Sequence, residues 1–117
     1  MRTDTQSKRD LLEYVDAYRD DLVGFLTHLV RTPSENSPPR GNELACQQYC
    51  AGMLRSWGYS TDVYELDDVA GLREHPLYRT GRHYEGRPNV AARLAGSGGG
   101  RSLILSGHMD TVPSGTL

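Results

Sequence analysis

The sequence has 117 residues, of which 37% are hydrophobic and 24% charged, with a formal net charge of -2 and a pI of about 6.0. This length suffices for one small domain, and its interleaved acidic and basic residues exclude the clustered basic face of a nucleic-acid-binding protein. No segment has the apolar length of a membrane span, and the polar residues 1–8 lack the apolar core of a secretory signal. We therefore expect a cytoplasmic protein with no membrane partner.

The first predicted element is a long amphipathic helix over residues 8–31. Ser7 and Asp10 resemble a capping box at its start, with the shorter acid in place of Glu or Gln. Apolar residues recur at helical spacing along one face: Leu11, Val15, Tyr18, Leu22, Phe25, Leu26 and Leu29. Pro33 ends the helix because it disfavours helical backbone at Thr32.

After a loop at residues 34–40, a second helix is predicted over residues 42–57. Its apolar face holds Cys46, Cys50, Met53, Leu54 and Trp57. We interpret the two cysteines as core thiols rather than a metal pair, and they make no disulfide framework. Glu43 is interpreted as an acid favoured by the helix dipole, and Gly58 as the left-handed residue just past the helix.

Residues 59–66 are predicted to form a strand, since Thr61, Val63 and Tyr64 favour extended backbone. Residues 67–85 are predicted to be an irregular surface excursion with one helical turn at residues 69–74. Two further strands are expected, at residues 90–94 and at Leu103-Ile104-Leu105, an apolar run typical of a strand covered on both faces. The glycine-rich residues 96–100 would join them as a hairpin, since the Lys-Ser/Thr of a phosphate-binding loop is absent.

This order of helix, helix, strand and hairpin predicts an α/β fold in which helices cover a mixed sheet. The carboxyl terminus, Ser114-Gly115-Thr116-Leu117, follows a loop with Pro and Gly and resembles no finished element. We therefore expect residues 1–117 to be the amino-terminal portion of one larger domain, which is an incomplete α/β sandwich.

His108 is the strongest candidate for a functional residue, because it directly follows a predicted strand, where open α/β sheets place ligand sites. Asp110 lies two residues further on, so in extended backbone both side chains project to one side, with Cβ atoms roughly 7 Å apart. The carboxylate could accept a hydrogen bond from one imidazole nitrogen while the other faces a metal ion. The alternative is that His108 is hydrogen-bonded to backbone and that Asp110 caps a turn. A His-x-Asp tripeptide considered without its surroundings favours this alternative, because short motifs often match by chance.

The remaining candidates carry weaker signals. His28 lies off the apolar face of the first helix, and His75 and His83 lie in the irregular excursion without ligand spacing. We expect all three to be exposed to solvent. No Gly-x-Ser-x-Gly pattern occurs, so serine-hydrolase chemistry has no support.

The segment Ser106-Gly107-His108-Met109-Asp110-Thr111-Val112-Pro113 resembles a family signature, G-H-x-D-x-V-P. The family is that of the zinc metallopeptidases and amidohydrolases that include acetylornithine deacetylase, succinyl-diaminopimelate desuccinylase, aminoacylase and glutamate carboxypeptidase. Four other segments resemble this family in the same order: Leu29-Val30-Arg31-Thr32-Pro33-Ser34, Gly41-Asn42-Glu43, Leu54-Arg55-Ser56-Trp57-Gly58-Tyr59 and Arg87-Pro88-Asn89-Val90-Ala91-Ala92-Arg93-Leu94. The resemblance runs from about Asp21 to the end of the sequence.

The resemblance implies a zinc-peptidase-like α/β sandwich that hydrolyses the amide bond of an N-acyl amino acid or a short peptide. It implies two Zn²⁺ ions per complete catalytic domain, for which Co²⁺ can substitute. His108 would bind one ion, and Asp110 would serve catalysis by orienting His108. The family's other ligands and its general base lie further downstream, so the isolated chain is expected to be inactive. A homodimer stays open for the full-length parent.

A second interpretation belongs to a different class of protein. The chain would then be a non-catalytic truncated product, or a folding or interaction module that lacks the remaining metal ligands. The motif at His108 favours the enzyme, whereas the position of the chain end favours this alternative.

Overall fold

A computed structural model of the chain describes residues 4–115, apart from the side chain of Asp4. The chain divides into two units, of which the first ends at Thr32 and the second begins at Pro33. The elements of the first unit are helices α1 (Asp4–Ala17) and α2 (Arg19–Arg31). Those of the second are strands β1 (Asn36–Ser37) and β2 (Arg40–Gly41), helix α3 (Leu44–Ser56), and strands β3 (Ser60–Tyr64) and β4 (Asn89–Arg93). No helix among the described residues is long and apolar enough to cross a membrane.

In the first unit, the single helix predicted for residues 8–31 is divided at Tyr18. Tyr18 leaves helical geometry, with φ −106° and ψ 15°, although its N–H still bonds to the Tyr14 carbonyl at 3.1 Å. The helix also begins earlier than predicted, so Ser7 and Asp10 lie inside α1 and the predicted capping box is wrong. The predicted end is confirmed: α2 stops at Arg31, and the next residue is extended, as Pro33 requires.

The apolar face predicted for these helices is largely exposed. Its five members with the highest exposure keep between 44% and 62% of their surface open: Leu11, Val15, Tyr18, Leu22 and Leu26. Phe25 and Leu29 are half-buried. Helical periodicity thus predicts which side of the helix is apolar, whereas burial requires a partner surface.

In the second unit, the predicted loop at residues 34–40 is instead a small antiparallel hairpin. Asn36 of β1 lies opposite Gly41 of β2, and Ser37 lies opposite Arg40. The turn contains a cis peptide between Pro38 and Pro39. A cis proline at the third position of a four-residue turn is a recognised way to reverse the chain, and the two prolines were the signal for it.

Helix α3 is confirmed, with a start two residues later than predicted. Gly58 ends it in the left-handed conformation at φ +85°, as expected, and the Tyr59 N–H bonds to the Leu54 carbonyl at 3.0 Å. The helix packs against β3 and β4. Cys46 is 1% exposed and Cys50 is half-buried, which agrees with their interpretation as core thiols.

The strands predicted around residues 59–66 and 90–94 are confirmed as β3 and β4, but their pairing differs from the prediction. They pair with each other, antiparallel, from Ser60 opposite Arg93 to Tyr64 opposite Asn89. Two short 3₁₀ turns, Leu66–Asp68 and Leu72–Glu74, lie in the irregular excursion between them. The fold is therefore a small α/β arrangement of three helices and two antiparallel sheets, consistent with an incomplete α/β fold.

The strand predicted at Leu103-Ile104-Leu105 is wrong for this structure, and so is the hairpin that was expected to contain it. The three residues are 82%, 87% and 87% exposed and have no regular secondary structure. Within residues 4–115 no strand lies beside them to complete a ladder. An apolar run favours a strand, but only the backbone groups of a neighbour can make it one.

The second unit contains a buried ion pair between Glu43, just before α3, and Arg87, just before β4. Arg87 Nε donates to Glu43 Oε2 at 2.8 Å, and Arg87 Nη2 donates to Glu43 Oε1. The two side chains are only 8% and 13% exposed. Glu43 is therefore an ion-pair residue and not simply an acid favoured by the helix dipole. Its hydrogen bonds raise the pKa of Arg87 above the usual value, because they stabilise the charged guanidinium.

Gly41 of β2 lies tightly against this pair. A Cβ atom at Gly41 would meet the Arg87 guanidinium and Glu43 Oε1 at 2.5 Å, whereas a Cβ atom at Gly52 in α3 would meet nothing within 4 Å. The two glycines therefore form a matched pair for a test of this packing.

We expect Gly41→Ala to lower the free energy of unfolding by about 1–3 kcal/mol, because the methyl group must displace one partner of a buried ion pair. Gly52→Ala is the control, and we expect it to raise the free energy of unfolding by about 0.4–1 kcal/mol by restricting the unfolded chain. Urea unfolding followed by circular dichroism measures both. A Gly41→Ala protein as stable as wild type would show that the ion pair can shift to accommodate the methyl group with no loss of free energy of unfolding.

Candidate functional site

The backbone of residues 34–36 is hydrogen-bonded to a distant residue, Thr111. The Thr111 N–H donates to the Ser34 carbonyl at 3.0 Å, and the Asn36 N–H donates to the Thr111 carbonyl at 2.8 Å. These bonds form a parallel bridge between Glu35 and Thr111. The bridge brings Asp110, the residue before Thr111, against the side chain of Asn36.

The two candidate residues identified from the sequence, His108 and Asp110, are in contact. His108 Nδ1 lies 3.1 Å from Asp110 Oδ1 and 3.2 Å from the backbone carbonyl oxygen of the same residue. In a neutral imidazole, Nδ1–H then donates to Asp110, and Nε2 keeps its lone pair. The His108 side chain is 83% exposed, so a ligand can reach it from solvent. The histidine-to-backbone contact expected if His108 were only a loop residue is therefore present, and so is the contact with the carboxylate expected for a metal ligand.

Asn36 is a site residue that sequence reasoning missed. Its Nδ2 donates to Asp110 Oδ2 at 2.9 Å, which is the carboxylate oxygen that His108 does not use. Its Oδ1 accepts a hydrogen bond from Arg82 Nη1 at 3.1 Å. Arg82 comes from the irregular excursion and Asn36 from the predicted loop, and no spacing in the sequence links either of them to Asp110.

These contacts favour the ionised form of Asp110. The hydrogen bond from Asn36 is the largest cause that holds the pKa of Asp110 below its ordinary value, and the hydrogen bond and charge of His108 act in the same direction. Partial burial opposes them, because it disfavours the charged carboxylate. A carboxylate that stays charged remains an acceptor for the imidazole N–H.

An open cleft of about 170 Å³ lies beside this pair. Its walls include Asn36, Glu43, Tyr84, Arg87, His108 and Asp110. Pockets for drug-sized ligands measure roughly 300–1,000 Å³, so this cleft matches a small group rather than a large ligand. Glu43 and Arg87 are hydrogen-bonded to each other and buried, whereas His108 is exposed. His108 is therefore the side chain at the cleft that is more accessible to a metal ion or another ligand.

The pair fits one position of a metal site. A metal-binding histidine typically donates its second ring nitrogen to a carboxylate, which is the geometry of His108 and Asp110. A catalytic zinc ion normally takes three protein ligands, and within residues 4–115 no three His, Cys, Asp or Glu side chains lie together. His75 and His83 are exposed and lie outside this cleft. The described residues thus provide one candidate ligand, whose binding of metal stays a prediction.

Comparison with known proteins places two bacterial enzymes among the relatives of the chain. It is 32% identical over 105 residues to N-formyl-4-amino-5-aminomethyl-2-methylpyrimidine deformylase of Halalkalibacterium halodurans, which covers 88% of this chain and 20% of that protein. It is 27% identical over 106 residues to the Bacillus subtilis protein of the same name, which covers 87% of this chain and 20% of that protein. The chain therefore spans about a fifth of the length of these relatives.

Both names describe the removal of a formyl group from nitrogen, which is the hydrolysis of an amide bond in a small molecule. No protein-family model matches the sequence, and no solved structure is significantly similar to it. The relatives support amide hydrolysis in general, whereas membership of the zinc metallopeptidase family stays a prediction.

The lowered pKa of Asp110 predicts a pH dependence of stability. Its contribution is fully present above its ordinary pKa of 3.8 and is lost as the pH falls through the lower folded-state pKa. Between about pH 6 and about pH 3, we therefore expect wild type to lose more free energy of unfolding than Asp110→Asn, which cannot titrate there. Urea unfolding of both proteins at each pH measures the difference. Equal losses in the two proteins would contradict the prediction.

Proposed function

We propose that this chain is part of a hydrolase that cleaves the amide bond of a small N-acylated molecule. The observation that carries the proposal is the similarity of 32% identity over 88% of the chain to a pyrimidine deformylase. The geometry of His108 and Asp110 at an open cleft supports it independently, because a carboxylate-held histidine is a common component of metal-assisted hydrolysis.

For the substrate, we propose a formamide or another small N-acyl group. The relatives act on an N-formyl aminomethylpyrimidine, and the sequence resemblance favoured N-acyl amino acids or short peptides. A cleft of about 170 Å³ suits an acyl group of one or two carbon atoms. Tyr84 in its wall offers a surface for an aromatic ring, which favours the first of these substrate classes.

In this proposal, His108 is one protein ligand of a zinc ion, or of cobalt in its place. When bound, such an ion polarises the acyl carbonyl and lowers the pKa of water. Asp110 accepts a hydrogen bond from Nδ1–H of His108, which keeps the Nε2 lone pair available and makes the imidazole a stronger base. Since no three His, Cys, Asp or Glu side chains lie together within residues 4–115, the proposal leaves the remaining ligands and the general base unassigned.

The experiment uses the protein expressed from its complete reading frame. Formate or acetate release is measured with an N-formyl aminomethylpyrimidine, an N-formyl amino acid and an N-acetyl amino acid, with and without added zinc. Zinc-dependent release from any of the three supports the proposal, and the preferred compound identifies the acyl and amine classes. No release from all three, with a folded protein and added zinc, would overturn the proposal in favour of the non-catalytic module.

In the same protein, we expect His108→Ala to remove at least one metal ion per chain and to abolish release, because it deletes the proposed ligand. His75→Ala is the matched control, since that histidine is exposed outside the cleft. Metal content by mass spectrometry and the initial rate of release are the measurements. A His108→Ala protein with unchanged metal content would show that His108 is not a ligand.

A further inference from the structure

Asn36 lies between a donor and an acceptor, and its side-chain amide is suited to both. Arg82 can only donate, so it must face the amide oxygen of Asn36. Ionised Asp110 can only accept, so it must face the amide nitrogen. These two neighbours thus determine the orientation of the Asn36 amide.

The orientation of Asn36 in turn determines what Asp110 offers to His108. Asn36 occupies Oδ2 of the carboxylate at 2.9 Å and leaves Oδ1 to face His108 Nδ1 at 3.1 Å. Asp110 is half-exposed, and His108 is almost fully exposed, so packing alone does little to hold either side chain. The backbone carbonyl oxygen of Asp110 also lies 3.2 Å from His108 Nδ1, but it does not hold the carboxylate. The hydrogen bond from Asn36 supplies that restraint on the carboxylate.

The backbone of Asn36 is held as well as its side chain. Its N–H bonds to the Thr111 carbonyl at 2.8 Å, and its partner across the hairpin is Gly41, which lies against the buried Glu43–Arg87 pair. Asn36 therefore approaches Asp110 from a fixed backbone, whereas Asp110 lies in a segment without helix or strand.

We propose that Asn36 is a positioning residue that fixes the Asp110 carboxylate and thereby selects the Nδ1–H form of His108, and that Arg82 holds the amide of Asn36 in the required orientation. The assignment rests on the proposed function for its meaning in metal binding. In this assignment Asn36 is not a metal ligand, and its effect on His108 passes through Asp110.

The first test measures the protonated nitrogen of His108 directly. In the metal-free protein with isotopically labelled histidine, imidazole nitrogen NMR at mildly alkaline pH should show Nδ1–H in wild type. Asn36→Asp has the same shape and still accepts from Arg82, but it cannot donate to Asp110, so we expect a mixture containing Nε2–H. Asn36→Ala should give the same result. Asn42→Ala, at an exposed loop position, is the matched control and should retain the wild-type form.

The second test measures metal affinity, with Zn²⁺ alone as the probe and a competing chelator. Loss of an outer partner of a metal-binding histidine typically weakens affinity about 10–100-fold, and we expect about tenfold for both Asn36 variants, since they act through Asp110. Arg82→Ala should show a smaller loss, which Arg82→Lys restores by keeping a donor. Circular dichroism verifies that each variant is folded.

The outcomes separate this inference from the proposed function. An unchanged His108 tautomer in folded Asn36→Asp and Asn36→Ala would overturn the inference, whatever the activity of the enzyme. A changed tautomer in a protein that binds no Zn²⁺ and cleaves no amide would support the positioning role and overturn the proposed function. A changed tautomer together with the tenfold loss of Zn²⁺ affinity would support both.

Discussion

The buried ion pair between Glu43 and Arg87 organises the second unit. It joins the start of α3 to the start of β4, which are otherwise far apart in the sequence. Because Gly41 has no side chain, the β1–β2 hairpin can lie directly against the pair. Asn36 lies opposite Gly41 in the hairpin, so the position of Gly41 against the ion pair also determines where Asn36 lies. Polar contacts thus determine where the hairpin lies in this unit.

This reliance on polar contacts follows from the small amount of buried apolar surface. Among the described residues, Cys46 and Ala51 are the hydrophobic side chains that reach full burial. A buried ion pair adds little net stability, because desolvation of both charges offsets their attraction. Loss of one partner is costly, however, since it leaves the other charge buried and unpaired. The pair therefore contributes more to a defined arrangement than to overall stability.

The candidate site inherits its geometry from this arrangement. The bridge from residues 34–36 to Thr111 brings Asn36 to Asp110, and Asp110 in turn contacts His108. His108 itself is exposed and lies in a segment without regular structure. A surface segment without helix or strand thus acquires a defined side-chain geometry because one backbone bridge and one amide hold it. A hydrogen bond to a carboxylate orients metal-binding histidines in other proteins in the same way.

The sequence by itself determined the local features: the helix end before Pro33, helix α3 with its left-handed Gly58, the strands β3 and β4, and the contact between His108 and Asp110. These follow from proline and glycine geometry, from side-chain periodicity and from a spacing of two residues, all of which act over short distances. Only the tertiary structure decided which strands pair and that Asn36 and Arg82 join the site. It also decided that Leu103-Ile104-Leu105 pairs with no strand within residues 4–115. Those outcomes depend on contacts between residues distant in the chain, and a single sequence carries no local pattern that specifies them.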